Sequence, residues 1–255
     1  MSLLECTSLS MRFAGLVAVS NFNLNLKKNE LVGLIGPNGA GKTTVFNMLT
    51  GVYTPTQGHI LLDGKNINDM MPHEITRLGM ARTFQNIRLF KELSLLDNVR
   101  IGHHIHMNYG LAAMTLQTRH YKEQEEKTMS DSLGLLSIFK LEDKAHMMAK
   151  HLPYGVQRQL EILRALATRP QVLLLDEPAA GLNHTETENL MHTIQILRKK
   201  FDLTILLIEH DMKLVMGICE RILVLDYGET IAEGTPAAIQ SHPEVIKAYL
   251  GEVHE

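Results

Sequence analysis

The stretch Gly36-Pro-Asn-Gly-Ala-Gly41-Lys42-Thr43-Thr44 follows the apolar run Leu31-Val-Gly-Leu-Ile35 and precedes Val45-Phe-Asn-Met-Leu-Thr50. Its pattern, G-x-x-x-x-G-K-T between an expected strand and an expected helix, constrains the fold more than any other feature of the chain. Glycines at these spacings let successive backbone N–H groups turn inward around phosphate oxygens. A helix starting near Gly41 aims the positive end of its dipole at the same anion. The loop is therefore read as a nucleotide-phosphate site made by Gly36, Pro37, Asn38, Gly39, Ala40, Gly41, Lys42, Thr43 and Thr44. In it Lys42 reaches the outer phosphates and Thr43 offers a hydroxyl to Mg²⁺.

Two further apolar runs lead into polar chemistry in the same way. Val172-Leu-Leu-Leu175 is continuous, as suits a strand buried on both faces of a parallel sheet, and it runs straight into Asp176-Glu177-Pro178. In an open α/β sheet the ligand crevice lies at the carboxyl ends of the strands, where both Gly36 and Asp176 fall. A buried strand ending in two acids lacks a purely structural reason. Asp176 is accordingly read as a Mg²⁺ partner and Glu177 as the group that polarises attacking water. Leu203-Thr-Ile-Leu-Leu-Ile208 is the next expected buried strand, and Glu209 and His210 follow it. Imidazole can donate to a phosphate oxygen or to water near neutral pH, which makes His210 a candidate γ-phosphate contact. Met80-Ala-Arg-Thr-Phe84 is a third strand. It delivers Gln85, a side chain suited to orienting a water or ligating a metal, and equally at home on a surface.

The remaining segments frame these strand ends. Leu3 to Leu9, Met11 to Gly15 and the alternating Phe22-Asn-Leu-Asn-Leu26 predict an antiparallel sheet at the start of the chain. Phe13 sits on the connection between these strands, either stacking on a nucleotide base or serving as a core or hairpin aromatic. His59 to Leu62, the Asp63-Gly64 turn and Lys65 to Ile67 read as a hairpin, and Pro72 to Gly79 as a short helix. From about Ile87 to Ala149 strand signals vanish, and apolar residues recur at helical spacing, with Leu95 and Val99, then Leu133, Leu136 and Phe139. The charged run Lys122 to Lys127 reads as a solvated helix face, and Met107 and Met114 as core filler or the lining of a partner groove. His103 and His106 would share a helix face at i, i+3, yet no cysteine or second histidine cluster stands nearby to complete a metal site. Beyond the acid-ended strand, His184 to Phe201 is an expected helix with Leu190, Ile194 and Leu197 on one stripe. Two short strands and helices after Pro236 and Pro243 close the chain.

A formal net charge of −3, with only brief lysine pairs, gives a nucleic-acid partner little electrostatic support. The two cysteines, Cys6 and Cys219, match no metal or disulfide spacing and suit a reducing compartment. No run approaches the ~18 apolar residues of a membrane span, so a soluble or peripheral chain is expected, with any membrane association made through a partner.

Taken together, these residues resemble the ATP-binding cassette family over nearly the whole chain. Gly36 to Thr43 is similar to its phosphate loop and Gln85 to its glutamine loop. Leu152-Pro-Tyr-Gly-Val-Gln-Arg158 matches its signature segment, through Tyr154, Gly155 and Gln157. Leu173-Leu-Leu-Asp-Glu177 matches its acidic strand, Ala180-Gly-Leu-Asn183 the loop that crosses its dimer, and His210 its switch histidine. Phe13 falls where the family stacks an aromatic on adenine. The resemblance implies an α/β fold: a P-loop NTPase core, RecA-like with a mostly parallel sheet, carrying an N-terminal antiparallel β subdomain and an inserted α-helical subdomain. It divides the chain into 1–86 with 165–255 for the nucleotide-binding core and 87–164 for the helical part. It also implies ATP and Mg²⁺ as ligands, with Thr43, Gln85 and Asp176 on the metal and Glu177, His210 and Gln85 as catalytic groups.

Within that family, Arg82 to Phe90, Tyr154-Gly155, Leu160-Glu-Ile162, Glu209 to Gly217 and the ending Ala248-Tyr-Leu-Gly251 look like the longer ATPase subunit of bacterial branched-chain amino-acid importers. Importers for urea or short amides share much of this pattern. The implied partners are a second ATPase subunit in a head-to-tail dimer, two permease subunits and, indirectly, a solute-binding protein outside the membrane. The implied location is the cytoplasmic face of the inner membrane. In the signature, Pro153 stands where the family has a serine, which removes a hydroxyl and an N–H. The nucleotide site completed by this segment is therefore expected to hydrolyse more slowly than its twin. A soluble cassette of DNA repair or translation would carry two cassettes or a long coiled coil, and a silent scaffold would have lost Lys42, Glu177 or His210. A plain P-loop kinase would lack both the signature segment and His210.

Overall fold

The computed structural model describes residues 2–107 and 109–250, the side chains of residues 111, 112 and 250 excepted. The expected ending Ala248 to Gly251 thus runs one residue outside the described chain. In order, the elements begin with the long strands β1 (Ser2–Phe13) and β2 (Leu16–Lys27), then β3 (Leu31–Ile35), α1 (Lys42–Leu49), β4 (Gln57–Leu62), β5 (Lys65–Asn66), α2 (Pro72–Arg77) and β6 (Met80–Arg82). A run of helices follows: α3 (Leu95–His103), α4 (Leu111–Thr115), α5 (Arg119–Ile138) and α6 (Tyr154–Ala167). Then come β7 (Val172–Asp176), α7 (His184–Phe201), β8 (Thr204–Ile208), α8 (Met212–Ile218), β9 (Arg221–Asp226), β10 (Glu229–Gly234), α9 (Pro236–Gln240) and α10 (Pro243–Leu250). The chain divides into two compact units, Met1–Gln85 with Gln171–Glu255, and Asn86–Pro170.

The first unit holds two sheets. One is antiparallel in the order β2-β1-β4-β5, and the other has the order β10-β9-β3-β8-β7-β6. In the second sheet β6, β7, β8, β3 and β9 run parallel, and only β10 turns back, through the Tyr227-Gly228 turn. Every residue of β3, β7 and β8 is buried, which explains why these strands read as unbroken apolar runs without alternation. By contrast Phe22, Leu24 and Leu26 of β2 are buried between exposed asparagines, the pattern of a strand with one wet face. The core joins Leu4 and Leu9 of β1, Phe22 of β2, and Phe46 and Leu49 of α1 with residues of the parallel sheet. Phe22 and Phe46 are wholly buried, and truncating either to alanine carries a cost of about 3–5 kcal/mol. The helix that leaves the phosphate loop is thus anchored by its apolar face. Within its first turn Thr43 remains exposed.

The second unit is helical. α3 and α6 cross so closely at Gly102 that a Cβ there would lie 2.6 Å from the Arg164 carbonyl oxygen and 2.7 Å from Ala167 Cβ. Ser94 caps α3 through the N–H of Asp97. Asn98 is fully buried: its Oδ1 accepts from the N–H of Phe90, and its Nδ2 donates to the carbonyls of Phe90 and Ser94, which pins the segment leading into α3. Leu95, Val99 and Leu136 are buried as their spacing predicts, whereas Leu133 is exposed. The inward stripe of α5 is set one position earlier, through Ser132 and Leu135 beside Leu136, because Ser132 satisfies its hydroxyl on the Thr128 carbonyl and so tolerates burial. The run Lys122 to Lys127 is mostly exposed. Gln124 and Glu125 are half-buried, and Glu125 is clamped by Arg100 at 2.7 Å and by the Tyr109 hydroxyl at 2.5 Å.

Of the histidines, His103 closes α3 and is buried, and burial pushes its imidazole toward the neutral form. His106 lies in the following 3₁₀ turn with its ring nitrogen 2.7 Å from the Thr168 carbonyl. The shared helix face does not form, because the α-helix ends between the two residues. Among the described residues no helix is long and apolar enough to cross a membrane.

Candidate functional site

Between β3 and α1 the chain makes a turn that only glycine can make at two points. Gly36 has φ +148° and a Cβ there would sit 1.9 Å from the Leu225 carbonyl oxygen; Gly41 has φ +101° and a Cβ would meet the Ala18 carbonyl oxygen at 2.6 Å. Gly39 differs, for its position is equally left-handed, at φ +82°, but nothing lies within 4 Å of the place its Cβ would take. That emptiness opens onto a cavity of about 530 Å³. Residues 38–44 line the cavity together with Phe13, Leu16, Tyr227, Gln85, Glu177 and His210. The first turn of α1 has neither a capping side chain nor an acidic residue, so its N–H groups and dipole are available to an anion.

Lys42 is 6% exposed and folds back over the loop, donating to the carbonyls of Gly36 at 2.6 Å and Pro37 at 2.8 Å. Burial pushes its pKa down, and the carboxylates of Glu177 and Asp176 act against that. Phe13 ends β1 at the hairpin turn, where its ring meets Tyr53 edge-on with centroids 5.2 Å apart while also lining the cavity.

Three neighbouring parallel strands end in polar groups, of which Gln85, Glu177 and His210 line this cavity. β6 leads to Gln85, β7 to Asp176 and Glu177, and β8 to Glu209 and His210. Glu177 sits in the left-handed region at φ 48°, a backbone cost of about 1–2 kcal/mol for a residue with a Cβ, and its N–H donates to the Ile208 carbonyl at 2.9 Å. Its carboxylate is gripped on both oxygens. Gln85 Nε2 donates to Oε2 at 2.7 Å, and His210 Nε2 lies 2.8 Å from Oε1. A strained backbone held in place by its surroundings, with a carboxylate fixed between an amide and an imidazole, is an arrangement suited to orienting a water molecule.

Two residues that sequence reasoning passed over organise this edge. Arg82, the last residue of β6, donates from Nη2 to Asp176 Oδ2 at 2.6 Å with both side chains almost fully buried. A charge that directly follows the apolar Met80-Ala81 in a short buried strand is a signal in itself, since a buried guanidinium requires a partner. Glu209 is the other. Its buried carboxylate accepts from the N–H groups of Ala179 at 2.7 Å, His210 at 2.9 Å and Asp211 at 3.2 Å, and so ties the loop after Glu177 to the loop that carries His210. Burial raises its pKa, which those three N–H groups oppose and the charge of Glu177 reinforces.

Tyr154, Gly155 and Gln157 stand on the opening turns of α6 in the helical unit. Pro153 is the N-cap residue and offers no side-chain cap, while Gln157 Nε2 turns back to the Leu152 carbonyl at 2.9 Å. The Tyr154 hydroxyl accepts from Arg158, which also pairs with Glu161.

The hydroxyl of Thr43, the carboxylate of Asp176 and the side-chain oxygen of Gln85 are hard oxygen donors, a set that fits Mg²⁺ supplemented by phosphate and water. Among the described residues no group of three or more His, Cys, Asp or Glu could hold a metal ion by itself. The arrangement sets a glycine-rich loop and an uncapped helix start beside a strand that ends in two carboxylates, Asp176 and Glu177.

The ABC transporter family model matches residues 19–180, and a model for the branched-chain amino acid ATP-binding cassette transporter matches residues 229–255. The chain is 49% identical, over 98% of its own length and 98% of the relative's, to the high-affinity branched-chain amino acid transport ATP-binding protein BraF of Pseudomonas aeruginosa. Its backbone superposes on the ADP conformation of MJ1267, an ATP-binding cassette of an ABC transporter, with a TM-score of 0.85 at 28% identity, covering 99% of this chain and 100% of that one. A dimeric ATP-binding cassette, MJ0796 bound to ADP and Pi, matches 91% of the chain and 98% of its own with a TM-score of 0.76 at 26% identity. With the phosphate loop and the acid-ended strand both inside the matched segment, the chain belongs to the ABC transporter family of ATP-binding cassettes.

Proposed function

We propose that this chain is the ATP-hydrolysing subunit of an importer for branched-chain amino acids. One observation carries the catalytic part: Glu177, held on both oxygens by Gln85 and His210, lines the same cavity as Lys42 and Thr43. The solute class is supported by the near full-length similarity to BraF and by the match of residues 229–255 to the branched-chain model.

Residues 36–44 bind the phosphates of ATP through backbone N–H groups and the Lys42 ammonium, and Phe13 packs on the base. Thr43, Asp176 and Gln85 hold Mg²⁺, which neutralises charge on the outer phosphates when bound. Glu177 orients a water toward the outermost phosphate, and His210 holds Glu177 and donates toward that phosphate. Tyr154, Gly155 and Gln157, at the start of α6, complete the nucleotide site of a partner cassette in a head-to-tail dimer, so that binding closes the pair and hydrolysis reopens it. Two permease subunits receive the movement of the helical unit at the cytoplasmic face of the membrane.

The test is to purify a tagged Glu177→Gln form from membranes in ATP and Mg²⁺ and identify what accompanies it. A second cassette subunit and a permease pair, whose assembly hydrolyses ATP faster when leucine-loaded binding protein is added to the wild-type complex, is the expected result. Recovery of the chain alone, or with ribosomes or DNA-repair proteins, would contradict the transport role.

A further inference from the structure

We infer that Arg82 is the positioning residue that sets the carboxylate of Asp176 for the metal side of the nucleotide site, an inference that rests on Asp176 being a metal partner. The geometry joins three parts of the site through one guanidinium. Nη2 holds Asp176 Oδ2 at 2.6 Å, and Nη1 donates to Asn47 Oδ1 at 2.8 Å and reaches Thr50 Oγ1 at 3.4 Å. Asn47 stands on α1 one turn beyond Thr43, and Arg82 itself lies three residues before Gln85 on the strand that delivers it. The guanidinium is enclosed by the rings of Phe46, with its centroid 5.4 Å away, and Phe84, at 5.2 Å. It therefore has little freedom to move independently of α1 and β6.

A buried ion pair that merely neutralised charge could take either or both carboxylate oxygens. Here the grip is on one oxygen, and Oδ1 carries no hydrogen bond among the described residues. Holding Oδ2 fixes the carboxylate plane and leaves one oxygen for an outside partner. Partners of this kind, one step removed from a metal, commonly set its affinity by 10–100-fold. The expected metal donors Thr43, Gln85 and Asp176 come from α1, the segment after β6, and β7, and Arg82 contacts or belongs to each of those elements.

Nucleotide binding by the purified full-length chain provides the test, with fluorescent ADP titrated in EDTA and across a range of Mg²⁺ concentrations. Arg82→Met removes the fork but keeps bulk, Arg82→Lys keeps the charge on a single nitrogen, and Asp176→Asn serves as the reference, with thermal melting to establish folding. The expected result is that Arg82→Met shifts the Mg²⁺ concentration for half-maximal effect upward by about tenfold or more while ADP affinity in EDTA stays unchanged, with Arg82→Lys between it and the wild type. A folded Arg82→Met with wild-type Mg²⁺ dependence, where Asp176→Asn does shift it, overturns the role of Arg82 alone. Equal loss of ADP affinity with and without Mg²⁺ marks a structural pair and overturns it too. If Asp176→Asn leaves the Mg²⁺ dependence unchanged, the reading of Asp176 fails first and the inference with it. Should Arg82→Met not fold, the same comparison is made with Arg82→Lys, and an unshifted Mg²⁺ dependence there is the contradicting result.

Discussion

At the scale of single residues, the site depends on a few positions where one atom more or less matters. Gly36 and Gly41 have carbonyl oxygens where a Cβ would go, so the loop cannot be redrawn with other residues. Pro153 is the opposite case, a position where a hydrogen-bonding group is missing. The helix α6 opens behind it without a side-chain cap, so in the proposed dimer its dipole and N–H groups meet the partner's phosphate with no hydroxyl from this position. Restoring a hydroxyl with Pro153→Ser supplies one hydrogen bond to a charged oxygen, worth about 1.5 kcal/mol or more, which corresponds to roughly tenfold in rate if it is made in the transition state. The steady-state ATPase rate of an assembled pair should therefore rise several-fold with Pro153→Ser. An unchanged rate would show that the segment contributes through its backbone alone.

Elements bring these residues together, and one contact between elements lends itself to titration. Glu30, just before β3, receives Nε and Nη2 of Arg221 at the start of β9, at 2.8 and 3.0 Å, and Arg221 also pairs with Glu233 on β10. Partial burial would raise the pKa of Glu30, but the hydrogen bonds from Arg221 and from the Lys27 N–H outweigh it and hold the carboxyl below its ordinary value of about 4.5. A carboxyl depressed in the folded state adds stability above its unfolded pKa and loses it as the pH falls through the lower native one. Thermal melts should thus show wild type more stable than Glu30→Gln at neutral pH, with the gap closing below about pH 4.5. A gap independent of pH would rule out the ionic contribution.

The elements also show what was legible in the sequence. β3, β7 and β8 announced themselves as apolar runs because both of their faces are buried, and the residues that follow them marked the site. Leu133 misled because an apolar residue at helical spacing was counted inward, while Ser132, whose hydroxyl returns to its own helix, was the buried position. The contacts of Arg82 and Glu209 escaped the sequence for a different reason. Their partners, Asp176 and Ala179, lie far along the chain, and only strand adjacency brings them together.

For the whole molecule, the proposal is that phosphate loop, acid-ended strand and switch histidine act as one hydrolytic unit, coupled through the helical part to a transporter. The most direct measurement is ATP binding and single-turnover hydrolysis by the assembled complex with Glu177→Gln. That substitution keeps the size of the side chain and removes its charge. The predicted result is ATP affinity within about twofold of wild type and hydrolysis slowed by on the order of 100-fold or more, the usual contribution of a group that activates water. Hydrolysis at the wild-type rate with ATP bound would contradict the assignment of Glu177.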